Sequence, residues 1–237
     1  MKSDKSIARI IGTLLLLHLT VGLTVPFIIL HPVTGSRGFL LTAADNAVQV
    51  RSAVFLLFIG SAMAVAVSAA SFPILQRYSS ATTLCLFALS IVALALQAVD
   101  NGRLLAMLTL SQEYARTGAN NSALFDALAL VVGSARKWAH YTYLFVAVSW
   151  IFLLFSALYR FRLVPRVLAL LGMICSLLQI GGVTVRAIFG YPPDTRLATP
   201  LAPVYIALAL WLIVKGFRED PAAVAVANPY PLPTVVL

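Results

Sequence analysis

The strongest constraint in this sequence is a series of apolar runs too long, and too nearly free of charge, to be buried inside a water-soluble domain. Near-uninterrupted apolar stretches cover residues 7–30, 52–75, 81–99, 138–159, 165–189 and 200–217. A hydrocarbon core about 30 Å thick is crossed by about 20 helical residues, which is the length of these runs. Charged residues make up 11% of the chain and hydrophobic ones 61%, against about 25% and about 45–50% in ordinary soluble domains. Such a chain has too few polar groups to cover a surface facing water. In lipid the outer surface is apolar, and each peptide N–H and C=O must find its partner within its own segment, so the runs fold as helices. The expected fold is therefore all-α: a polytopic transmembrane bundle of about six spans, one domain over residues 1–218. A Pro-rich tail over 219–237 follows, expected to be disordered.

Lys2, Lys5 and Arg9 flank the first run. A signal peptide has the same charge order, but its apolar core is only about 7–15 residues, so a retained helix, kinked at Pro26, is expected here. In the second run Gly60, Ala64 and Ser68 recur every fourth residue, and Gly172 and Ser176 repeat that spacing in the fifth. Lipid supplies no hydrophobic drive for helix association, so small residues on one face mark positions of close helix packing. The third run is interrupted by Asp100, Asn101 and Arg103 before Leu104–Leu110 resumes it. The fourth mirrors this, with Ala123–Gly133 apolar, then Arg136 and Lys137, then Trp138–Tyr159. Thirty-five residues of helix measure about 52 Å, well beyond one hydrocarbon thickness. Long third and fourth helices are therefore expected to project as a hairpin over about 100–137, with shorter spans joined by an interfacial loop as the competing arrangement.

The net charge is +9, yet the basic residues stand in ones, twos and threes between apolar runs. Phosphate-tracking proteins carry a dense basic stripe, so nucleic acid is not an expected partner. Orientation follows from Lys and Arg in short loops. The raw count, nine on one side and eight on the other, decides nothing; the N-terminal cluster and the loop carrying Arg160, Arg162 and Arg166 do. They place both termini in the cytoplasm of a multi-pass cell-membrane protein.

Four stretches carry a family likeness: Ala43-Ala44-Asp45-Asn46-Ala47 leading into Arg51, Gln97-Ala98-Val99-Asp100, the segment from Arg162 to Gly172, and the segment from Ala207 to Gly216. In these the chain resembles a bacterial multi-pass membrane family known as domain of unknown function 4386. The resemblance implies the fold and supplies no activity. The family pattern pairs an acid with a base within the third helix, whereas Asp100 has no Arg one turn before it; there this sequence departs from the pattern.

Polar side chains at membrane depth are costly and mark candidate sites. At the outer boundary these are His31, Asp100, Arg136, Lys137, His140 and Arg186, with His18 near the middle of the first span. For the outer group the plain alternative is snorkelling to headgroups and water. For His18 it is a neutral imidazole bonded to a neighbouring helix. No HxxxH or HExxH spacing, nucleophile elbow, Walker loop or dinucleotide fingerprint occurs, and Cys85 and Cys175 sit singly in apolar runs. No catalytic residue, metal set or cofactor is assigned. The reading is a structural or interaction protein whose partners are membrane lipids and either another protein or further copies of itself. A small-molecule channel or transporter is one alternative. An intramembrane metal or haem enzyme using His31, Asp100 and His140 is another.

Overall fold

The structure, a computed structural model, describes residues 4–34, 38–117 and 122–218. The Pro-rich tail over 219–237 and the tip of the long hairpin at 118–121 lie outside the described residues. Among the described residues, six helices are long and apolar enough to cross a membrane. They are α1 (Asp4–Ile29), α2 (Ala47–Leu75), α3 (Ser80–Thr117), α4 (Ser122–Arg160), α5 (Arg166–Ile188) and α6 (Leu201–Val214), the last preceded by a 3-10 turn at Thr195–Leu197. The described residues contain no strand.

Two π turns interrupt the helices, each where the sequence weakens regular α geometry. Pro26 has no N–H to donate and its ring crowds the preceding turn. The helix accommodates it by widening over Val25–Ile29, with the Leu30 N–H reaching Val25 O at 2.8 Å. In α5 the turn at Ile180–Val185 holds the pair Gly181-Gly182. The Gly182 carbonyl accepts the Asp194 N–H at 2.8 Å, and the missing side chain leaves room for Leu197.

Each helix packs on its neighbour in sequence, and α1 packs on both α2 and α6, so the six form a closed ring. The interior is filled rather than hollow: Leu15, Trp150, Phe155 and Leu208 are fully buried in one apolar cluster. Close approach at two seams depends on glycine. A methyl at Gly12 would stand 2.6 Å from the Ala209 carbonyl oxygen between α1 and α6, and one at Gly172 would enter the Phe155 ring. Gly60 faces Val21 in the same manner between α2 and α1. Ala64 and Ser68 are buried on the Gly60 side of α2, and Ser176 is buried on α5 with its hydroxyl donating to Gly172 O at 2.7 Å.

Asp4 pairs with Arg77, and the Arg218 N–H donates to Leu163 O at 2.8 Å. The start of α1, the α2–α3 turn, the α4–α5 turn and the end of α6 therefore share one end of the bundle, as an even number of crossings requires. α3 and α4, of 38 and 39 residues, run on from that end as unbroken helices for about 57 Å. Their far halves are covered in part by the segment between α1 and α2. Its short helix Phe39–Thr42 packs on α3, held where Ser111 Oγ donates to Leu40 O and accepts the Ala44 N–H, both at 2.9 Å. Gln49 of α2 donates to Ile29 O at 2.7 Å. A second apolar cluster forms beneath this cap from Val25, Leu30, Val33, Val50, Ala53, Leu104 and Met107.

Candidate functional site

Between the two apolar clusters lies a layer of buried polar side chains. On α3, Leu86 belongs to the first cluster and Leu104 to the second, and the buried residues between them are Ser90, Ala93, Gln97, Asp100 and Asn101, the last three polar and clustered within five positions. Positions i, i+3 and i+4 of a helix share a face, so these three look inward together. Arg136 and His140 are also four apart, on α4, and they face α3.

Asp100 is 1% exposed and stands at the centre. Its Oδ2 lies 3.0 Å from His140 Nδ1, and its Oδ1 lies 3.3 Å from Arg136 Nε. An ionised carboxylate only accepts, so Nδ1 of His140 carries the hydrogen of this bond, and Nε2 is the ring atom left for another partner. The Arg136 contact is an ion pair without the direction of a hydrogen bond. Gln97 Nε2 donates to Asn101 Oδ1 at 2.9 Å, and Asn101 Nδ2 donates to Val54 O of α2 at 3.0 Å. The polar layer thus ties α2, α3 and α4 together. Tyr143, one turn beyond His140, meets the Ser61 hydroxyl at 3.5 Å.

A cavity of about 280 Å³ opens beside this cluster. Arg136, His140 and Tyr141 of α4, Met107 of α3 and Phe39 of the cap line it, and the exposed Lys137 stands at its rim. Asp100 lies behind the wall. The charge at the cavity is two cations against one buried carboxylate, a net positive balance even with His140 neutral.

The remaining candidates go elsewhere. His18 sets its Nδ1 3.0 Å from the Tyr205 hydroxyl of α6 and its ring edge-on to Trp150. Trp150 Nε1 in turn donates to Ser68 Oγ at 2.9 Å. This is a second polar knot, closed around by α1, α2, α4 and α6, and it does not line the 280 Å³ cavity. His31 is exposed on the short helix His31–Thr34. Arg186 is exposed at the end of α5, its Nε donating to Pro192 O at 2.9 Å. The trio of His31, Asp100 and His140 therefore does not assemble: two of its members meet, and Arg136 takes the third place. Among the described residues no group of three His, Cys, Asp or Glu side chains is placed to hold a metal ion.

Residues 10–216 match the family model described as a domain of unknown function, DUF4386. The chain belongs to the DUF4386 family. Asp100, Arg136, His140, the cavity and the cap over it all fall within the matched part of this DUF4386 protein, as does the His18–Tyr205 pair. Neither a comparison with curated proteins nor one with solved structures gave a match.

Tyr205 and Trp150 were not legible as partners of His18, since nothing local links three residues on separate helices. The Arg136/His140 pair did leave a signal, because two polar residues at helical spacing face the same neighbour. The cap left less: Ser111, buried at the far end of α3, is the residue that holds it.

Proposed function

We propose that this DUF4386 protein is a binding protein of the cell membrane, with both termini cytoplasmic, whose site is the cavity beside Asp100, Arg136 and His140. The observation that carries this reading is the meeting of Asp100 with Arg136 and His140, 36 and 40 residues further along the chain, where the latter two line a 280 Å³ space under an apolar cap. Buried ionic groups are costly within a membrane and are retained where they have a task. Binding is favoured over conduction because the interior around His18 is packed with side chains, Trp150 and Tyr205 among them. Binding is favoured over catalysis because, among the described residues, no third His, Cys, Asp or Glu joins Asp100 and His140 as a metal ligand.

Depth supports the placement. Asp100 lies twenty residues beyond Ser80 and His140 twenty before Arg160, about 30 Å along each helix. That is one hydrocarbon thickness. With the charged end at Arg77 and Arg160 in the cytoplasm, the cavity sits at the opposite headgroup level, and the hairpin beyond it projects.

Gly133 lines the cavity, and a Cβ there meets only Phe39, at an ordinary 3.6 Å. Gly133→Leu therefore puts an apolar side chain into the space with no clash at its Cβ and no change of charge. Native mass spectrometry of the full chain from mild detergent should show a co-isolated small molecule or lipid on the wild type and its loss in Gly133→Leu. Identical adduct patterns in the two proteins would overturn the reading.

A further inference from the structure

We infer that the cavity is selective for an oxyanion carried on a short apolar body, that is, a phosphate- or carboxylate-bearing amphiphile or the headgroup region of an anionic lipid. This inference rests on the reading of the cavity as a binding site and adds the class of ligand.

The guanidinium of Arg136 is the first ground. Its Nε faces Asp100 Oδ1, and among the described residues no hydrogen bond engages its terminal amino groups. A guanidinium offers a planar fork of donors that matches phosphate and carboxylate oxygens two at a time. With one edge turned to Asp100, the far edge is the one left for such a group. Arg136 is 18% exposed, so this edge is not lost in the interior. Lys137 adds a second cation beside it; its Nζ lies 5.9 Å from the Trp138 ring, and among the described residues no carboxylate pairs with it.

The second ground is the fixed charge balance. Asp100 cannot serve as the counter-ion for both cations, since its two oxygens are already committed to Arg136 and His140. The cavity therefore keeps a positive charge that an anion would complete. A cationic ligand would meet Arg136 and Lys137 before it reached the carboxylate behind them.

The third ground is shape. Val33, Phe39, Met107 and Tyr141 make the rest of the wall apolar or aromatic. A volume of about 280 Å³ lies just below the range for small-molecule sites, about 300–1,000 Å³. It holds a headgroup or a short chain, not a whole diacyl lipid. Two sources offer this chemistry: a membrane lipid entering sideways from the outer leaflet, or a soluble organic phosphate or carboxylate entering from water.

The test uses the full chain in a neutral maltoside detergent and follows its thermal midpoint against three probes. These are dihexanoyl phosphatidylglycerol, glycerol 3-phosphate and the uncharged monooctanoylglycerol. An anionic probe should raise the midpoint saturably and the uncharged one should not. Dihexanoyl phosphatidylglycerol acting far below the concentration of glycerol 3-phosphate identifies a lipid source; comparable potency identifies a soluble anion. Lys137→Gln, at an exposed position that leaves the ion pair intact, should weaken the anionic response about tenfold or more. Equal responses to the uncharged and anionic probes, with Lys137→Gln unaltered, would overturn the anion selectivity and leave the binding site standing. Responses that Gly133→Leu does not abolish would overturn the binding site itself.

Discussion

Asp100→Asn is the substitution on which the polar layer can be judged. The side chain is 1% exposed, with Arg136 and His140 at 3.3 and 3.0 Å and themselves 18% and 28% exposed. Breaking a fully buried ion pair by removing one partner costs about 3–5 kcal/mol, because the other charge is left stranded. Here the stranded groups are cations with partial access to water, and Asn still offers His140 Nδ1 an acceptor. The expected cost is therefore lower, about 2–3 kcal/mol. For a chain of about this size that is a fall in thermal midpoint of about 4–12 °C. Arg136→Met strands the carboxylate instead, and Asp100 has less access to water, so its cost should be at least as large. The double variant Asp100→Asn/Arg136→Met removes both charges together and should lose about 1–3 kcal/mol less than the two single effects combined. Thermal unfolding of the four proteins in one detergent, followed by fluorescence-detected gel filtration, measures the cycle. Single effects that add to within about 0.5 kcal/mol would refute the coupling drawn from the geometry.

Gly12→Ala should lower stability by about 1–3 kcal/mol, since the new methyl meets the Ala209 backbone oxygen at 2.6 Å and neither helix can yield without opening the α1–α6 seam. Gly22→Ala, on the same helix with nothing within 4 Å, is the control and should be neutral or slightly stabilising in the same thermal assay. With Cys85 and Cys175 replaced by Ala, a cysteine at Arg116 should react with an impermeant maleimide on intact cells, and one at Arg160 only after the membrane is opened; the reverse pattern would overturn the cytoplasmic placement of the termini.

The fold was legible because a bilayer leaves few choices. Apolar runs of spanning length must be helices, and Pro26 announced the disturbance that the structure resolves as a π turn. The stripe of Gly60, Ala64 and Ser68 was equally plain, since small residues at fourth positions have one use on an apolar helix. Gly12 and Gly182 went unnoticed although Ala8 precedes Gly12 by four residues, because what each admits, the Ala209 backbone and the Leu197 side chain, lies on another element. Asp100 stood out as a charge in an apolar helix, but its partners did not. One turn before it the same helix carries no base, and the pairing instead crosses to α4, where Arg136 reads as a boundary residue like Lys137 beside it. Only packing separates the two, turning Arg136 inward and leaving Lys137 at the rim. The knot of His18, Tyr205, Trp150 and Ser68 was hidden for the same reason, its members being bonded across four helices.

The seam between α1 and α6 sets a schedule for assembly. Helix α1 leaves the ribosome well before α6, and at about 5–20 residues per second the wait between them is about 10–40 s. During that interval the groove at Gly12, and the imidazole of His18 awaiting the Tyr205 phenol, face lipid or whatever chaperone attends the nascent chain. A ribosome that stalls before Leu201 would release a product with an open flank and a stranded polar ring, which is the kind of defect that membrane quality control is built to detect.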